Sequence, residues 1–234
     1  MTYHIDPKLV LTMTIKHIAI DIGGTLIEPT SGDWNITTYL KEVLNRYSIY
    51  GKSDVVLLND SFSRAKKLLE PNTTMQNRED EYVYFVKIYD AAINRTTRIL
   101  PTSEIEKVAY NRVYGEDIYT VITPFFKYIN GLTAINKGLF SNTYPSVIYY
   151  LKSMGLDSGY VDNCLSYIEG LRKPSPLFFE RLLTKTHLTS KSILVVDDNA
   201  ECINVANALG MNAIYFDKNE IEKCIKEIDR YLWI

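Results

Sequence analysis

HIAIDIGGTL (residues 17–26) is a short apolar run that ends on an acid and a Gly-Gly turn. That form reads as a buried strand delivering Asp21 to its carboxyl end. SILVVDD (192–198) repeats it, ending on Asp197 and Asp198, and KGLFS (137–141) and NAIYF (212–216) are two further candidate strands. Helical patterns alternate with these runs. PSVIYYLKSMGL (145–156), PLFFERLLTKTHL (176–188) and AECINVANALG (200–210) carry apolar residues at helical spacing, the last with Gly210 just past its end. Strands alternating with helices at this rhythm predict an α/β fold, a doubly wound parallel sheet covered on both faces.

The stretch from 29 to 116 differs. It lacks a comparable strand pattern and reads as amphipathic helices over about 36–48, 54–69, 80–95 and 103–113, broken at Gly51, at Pro71-Asn72 and at Pro101-Thr102-Ser103. A helical block between the first strand and the rest of the sheet is most simply an inserted domain. The expected division is a discontinuous core, 1–28 and 117–234, with a helical domain at 29–116. Residues 1–13 read as an extension ahead of Met13.

In doubly wound sheets, ligands bind beyond the carboxyl ends of the strands near a topological switch point. Four places there carry chemistry: Asp21, Ser141 in LFSNT, Lys173 in GLRKPSP, and Asp197-Asp198 in VVDDN. A carboxylate can attack phosphorus and carry a covalent intermediate. A hydroxyl and an ammonium can hold phosphate oxygens, and a second carboxylate can complete a site for Mg²⁺, which prefers hard oxygen ligands. Taken singly, each feature has a plainer reading. Asp21 can end a turn, Ser141-Asn142 can cap the next helix, Lys173 can be a solvated lysine, and Asp197-Asp198-Asn199 is an ordinary helix start.

Jointly, the order Asp, Ser, Lys, Asp at strand ends resembles the four motifs of the haloacid dehalogenase (HAD) superfamily, over about residues 16–217 and with the helical block in the position of that family's cap. The resemblance implies Asp21 as nucleophile, Ser141 as phosphate binder and Lys173 as the group that orients phosphate. It further implies Gly24, Thr25 and Asn142 beside the phosphate, and Mg²⁺ held by Asp21, the Gly23 carbonyl, Asp198 and Asp197. The expected substrate is a small phosphorylated metabolite. Family phosphatases read D-x-D-G-T, where the second Asp is the general acid/base; here Gly23 stands in its place, and Cys202 stands where Asn or Asp is common.

Gly23 leaves several readings open: a phosphohydrolase or phosphotransferase with a relocated acid/base, a relative of phosphonoacetaldehyde hydrolases using Lys66 or Lys67 as a Schiff base, or a non-catalytic binding protein. The turn IDIGGTL also resembles the first phosphate loop of sugar kinases and actin-like ATPases. That fold needs a β-hairpin directly after the turn, and it leaves Lys173 and Asp197-Asp198 unexplained.

A formal charge of −2 gives no global pull toward nucleic acid or anionic membrane. No run reaches the roughly 18–20 apolar residues of a spanning helix. Cys164, Cys202 and Cys224 are odd in number and form no CxxC, which fits reduced thiols in a cytoplasmic protein. His4, His17 and His187 make no metal-ligand spacing. The expected assembly is a monomer or homodimer. The 18 tyrosines read as amphipathic filling of helix faces.

Overall fold

The computed structural model describes residues 14–48, 52–69, 75–94, 100–156 and 159–233. The proposed extension, His4 and the breaks at Gly51 and Pro71-Asn72 lie outside these residues.

In chain order, β1 (His17–Ile20) runs through a tight loop into β2 (Ile27–Pro29). Helices α1 (Thr38–Arg46), α2 (Lys52–Leu69), α3 (Arg78–Ile93) and α4 (Thr102–Tyr114) follow, within a residue or two of most expected bounds. Then come β3 (Tyr119–Val121), α5 (Thr123–Gly131), β4 (Asn136–Ser141), α6 (Pro145–Ser153), β5 (Cys164–Leu165) and α7 (Ser166–Glu169). The chain continues through α8 (Pro176–Thr186), β6 (Ile193–Asp197), α9 (Ala200–Ala208), β7 (Asn212–Tyr215) and α10 (Ile221–Trp233). Local chemistry sets the helix starts. Thr37 caps α1 by accepting from Leu40 N at 3.1 Å, Asn77 caps α3 from Asp80 N at 3.0 Å, and Pro176 opens α8, where a missing N–H costs nothing.

The chain divides into two compact units. One gathers the chain up to Glu28, Val121–Thr143 and the chain from Leu151 onward; the other is Pro29–Thr120 with Tyr144–Tyr150.

The first unit is built on a parallel sheet of order β5-β4-β1-β6-β7. β1 and β6 are buried along their whole length, as parallel strands covered on both faces must be. On one face Ala19, Phe140, Ile193 and Val195 pack with Phe178, Phe179 and Leu182 of α8 and Cys202 and Ala206 of α9. The Phe140 ring lies 4.8 Å from Phe178 and 4.9 Å from Phe179. Lys137 on β4 is buried yet satisfied: its ammonium donates to Ile129 O, Asn130 O and Leu132 O at 3.0–3.1 Å, closing the carboxyl end of α5. Because β1 lies between β4 and β6, the chain leaves β1 toward one side of the sheet and β6 toward the other. The crevice between their carboxyl ends is the topological switch point. β2 pairs with β3 of distant sequence, so the turn after Asp21 is not followed by a hairpin.

The second unit holds α1–α4 with two additions to the expected 29–116, namely 117–120 and 144–150. Side-chain contacts explain the second. Glu81 of α3 accepts from Ser146 N at 2.7 Å and Ser146 Oγ at 2.6 Å, so a buried carboxylate caps the first turn of α6. Tyr144 packs on Phe85 at 5.2 Å, Arg78 lies 4.5 Å from the Tyr149 ring, and Tyr150 donates to Tyr119 O at 2.6 Å. Tyrosines therefore do much of this unit's packing, as their abundance suggested.

Candidate active site

Asp21 sits one residue past β1, its N–H bonded to Val196 O at 2.9 Å. The loop after it is closed on itself: Leu26 N and Ile27 N both donate to Ile22 O, at 2.8 and 3.0 Å, and Gly24 N donates to Ile27 O at 2.7 Å. Gly24 adopts φ +83°, and a Cβ there would stand 2.0 Å from Asp198 Oδ2. Glycine is required twice over, for the backbone and for the room it gives the Asp198 carboxylate. Gly23 closes a bridge with Ile27. Thr25 is fully buried, and its hydroxyl has no hydrogen-bond partner among the described residues.

Lys173 reaches into this loop from far along the chain. Its Nζ lies 2.5 Å from Asp21 Oδ1 and 2.5 Å from Asp197 Oδ2, and also over the Phe140 ring at 5.2 Å. All three polar residues are buried. Burial alone would pull the ammonium down, but the charges of Asp21 and Asp197 outweigh it and hold Lys173 above the ordinary lysine range. Asp197 also accepts from Asn199 N at 2.8 Å, which starts α9. Asp21 Oδ2 has no hydrogen-bond partner among the described residues.

Asp198 completes the cluster. It is exposed as a residue, but its carboxylate tip lies against Gly24. Loss of solvent there, followed by the charges of Asp21 and Asp197, pushes its carboxyl up to about 6, with Lys173 opposing. Burial, then Asp21, likewise raises Asp197. One oxygen each from Asp21, Asp197 and Asp198 can be chosen within 4.8 Å of one another. Three carboxylates against one ammonium leave surplus negative charge, and every donor is a hard oxygen. That set fits a divalent cation of the Mg²⁺ kind rather than a thiophilic metal.

Ser141 ends β4, buried; the Ile20↔Leu139 register carries Ser141 to the same edge of the sheet as the Asp21 loop. Asn142, expected beside the phosphate, turns its side chain toward the Lys173 main chain. Its carboxamide donates to Lys173 O and accepts from Lys173 N, each at 2.8 Å. Nor does Ser141-Asn142 cap α6, since Glu81 does that. Cys202, on α9, is buried in the hydrophobic cluster on that face of the sheet. Burial first, then the Asp197 charge, pushes its thiol up to about 12. The Asn142 contact was not foreseen, because a side chain's reach across a loop leaves no periodic signal. Of the two candidate Schiff-base lysines, Lys66 donates to Asn35 Oδ1 at 2.7 Å and Lys67 is exposed.

Neither a protein-family model nor a curated protein sequence matches the chain. Solved structures do. A predicted HAD-like family hydrolase from Porphyromonas gingivalis is 20% identical, with TM-score 0.61 over 94% of this chain and 98% of that one. A HAD family enzyme from Bacteroides thetaiotaomicron, in complex with magnesium and inorganic phosphate, is 18% identical, with TM-score 0.58 over 88% and 96%. L-2-haloacid dehalogenase from Xanthobacter autotrophicus is 14% identical, with TM-score 0.59 over 86% and 77%. The chain has the HAD-like α/β fold, with a Rossmann-type parallel sheet. No described helix is long and apolar enough to cross a membrane.

Proposed function

We propose that the protein is a Mg²⁺-dependent phosphohydrolase or phosphotransferase acting on a small phosphorylated metabolite, with Asp21 as nucleophile. One observation carries this reading: Lys173 bridges Asp21 and Asp197 while Asp198 converges on them at the switch point. Three carboxylates set close together against one ammonium carry surplus negative charge that a bound cation would offset. The neighbour crystallised with magnesium and inorganic phosphate supports the same assignment.

Asp21, Asp198 and Asp197 would hold Mg²⁺, with the Gly23 carbonyl as a further donor; the ion, when bound, supplies charge neutralisation between the carboxylates and the phosphate. Lys173 holds Asp21 Oδ1 and leaves the other oxygen, Oδ2, as the attacking atom. Oδ2 attacks phosphorus in line, the bond from phosphorus to the leaving oxygen breaks, and Asp21 becomes an aspartyl-phosphate. Ser141, Lys173 and the Thr25 hydroxyl stabilise the charge on the transferring group. With no carboxylate at position 23, the leaving oxygen takes its proton from the substrate or solvent. Water then hydrolyses the aspartyl-phosphate slowly, since a positioned acid/base is worth roughly 10²–10⁴-fold.

Gly23 favours a second reading, a protein that binds phosphate and Mg²⁺ without turnover. Mg²⁺-dependent phosphate release from an aryl phosphate and a metabolite panel separates the two. Release by the wild type supports the enzyme. A silent wild type with release appearing in Gly23→Asp supports the binding protein, and silence in both overturns the phosphate site.

A further inference from the structure

Asn142 and Lys173 are 31 residues apart, in the loop after β4 and the loop before α8, and they meet through a closed pair of hydrogen bonds. Asn142 Nδ2 donates to Lys173 O at 2.8 Å, and Lys173 N donates to Asn142 Oδ1 at 2.8 Å. One planar amide thus holds both backbone polar groups of a single residue. We infer that Asn142 is a positioning residue: its amide fixes the main chain of Lys173 and so sets where the ammonium stands between Asp21 and Asp197. The inference rests on the proposed role of Lys173 in orienting phosphate.

The physical need is clear. A lysine side chain is a flexible four-carbon stem, and its head has low directional preference. To sit 2.5 Å from two carboxylates at once, the head depends on a fixed Cα. The loop carrying Asn142 is itself anchored. Thr143 N donates to Ser166 Oγ at 3.0 Å, and Ser166 Oγ donates to Thr143 O at 3.2 Å. Ser141, Asn142 and Thr143 therefore form a strut from β4 that is tied on one side to α7 and on the other to Lys173. Chemistry restricts position 142 closely. Aspartate keeps the acceptor but sets an anionic oxygen against Lys173 O, serine and alanine fall short, and glutamine keeps both groups on a longer stem.

The test reads Lys173 directly. Wild type, Asn142→Ala and Asn142→Asp are exposed to a limiting amine-acylating reagent, and acylation of each lysine is followed by peptide mass spectrometry. Lys137, equally buried in the same unit and bonded elsewhere, is the internal control. Acylation of Lys173 is expected to rise about tenfold or more in both variants, as for loss of about 1.4 kcal/mol of hydrogen bonding, with Lys137 unchanged. Equal acceleration of both lysines would mean general loosening, and no acceleration would mean no positioning; either overturns the inference.

Binding of inorganic phosphate with Mg²⁺, by calorimetry, adds a cycle of Asn142→Ala, Lys173→Met and the double variant. Positioning predicts that Asn142→Ala weakens phosphate about tenfold in the wild-type background and has no further effect beside Lys173→Met. Additive losses would mean that Asn142 touches the phosphate itself, which also overturns the inference. Should the wild type bind no phosphate, the functional reading fails and the acylation result alone decides the role of Asn142.

Discussion

Replacing Gly24 by alanine adds one methyl group at a point where the fold has no space for it. Two costs follow, and they can be separated. The first is local: at φ +83° an L-residue is strained by about 1–2 kcal/mol. The second concerns the site. The new Cβ would stand 2.0 Å from Asp198 Oδ2 and 2.7 Å from its Cγ, whereas relaxed contacts between carbon atoms begin near about 3.5 Å. Relief requires the carboxylate to retreat by about 1 Å or more, out of the cluster it forms with Asp21 and Asp197. Misplacement on that scale costs on the order of 10²-fold in chemistry, and one lost carboxylate from an oxygen site should weaken Mg²⁺ about tenfold or more. Gly155→Ala is the matched control, because Gly155 has φ +93° and nothing within 4 Å of its missing Cβ. Urea melts and calorimetric Mg²⁺ titration of both variants give the comparison. Both should lose about 1–2 kcal/mol of stability, and only Gly24→Ala should lose Mg²⁺ affinity. Wild-type Mg²⁺ affinity in Gly24→Ala, or an equal loss in Gly155→Ala, would refute the placement of Asp198.

His17 on β1 is buried, with its Nε2 unpartnered among the described residues. Burial lowers its pKa to about 4, against a partial opposing pull from Asp162. Between about pH 6.5 and pH 4 the unfolded chain binds this proton and the folded chain does not, so stability falls with falling pH by up to about 3 kcal/mol. Urea melts of wild type and His17→Leu across that window isolate the effect, since acid loss from all other groups is common to both; parallel curves would show that His17 is not held neutral. Glu81→Ala leaves Ser146 N and Oγ without their buried acceptor and should cost about 2–6 kcal/mol, two donors at about 1–3 each. Glu81→Gln should cost less, because an amide oxygen still accepts; equal melting of all three proteins would rule out Glu81 as the cap of α6.

The strands that build the sheet were legible because burial on both faces forces uninterrupted apolar runs, as in HIAI and ILVVD. Asp21, Lys173, Asp197 and Asp198 were legible because the strand ends of such a sheet are where chemistry can stand. β5, with two residues, and the β2–β3 pair, with three each, are too short to carry a period. The transfer of 144–150 to the second unit depends on Glu81 and Phe85, which lie 65 and 59 residues before their partners Ser146 and Tyr144 and give no local signal. The pairing of the Asn142 amide with the Lys173 main chain, 31 residues away, likewise gives no local signal. Cys202 looked like a defect; in the structure it fills the hydrophobic cluster with Phe178, Phe179 and Ala206.

The central claim is that Asp21 attacks phosphorus, and Gly23 supplies the means of catching it in the act. With no base at position 23, the aspartyl-phosphate should break down slowly enough to be seen. Wild type and Asp21→Asn, incubated with Mg²⁺ and small phosphorylated compounds and then quenched in acid, would be compared by intact-mass and peptide mass spectrometry. The account predicts a Mg²⁺-dependent phosphoryl adduct on the peptide containing Asp21, absent from Asp21→Asn. Phosphate turnover that persists in Asp21→Asn, or an adduct on another residue, would contradict it.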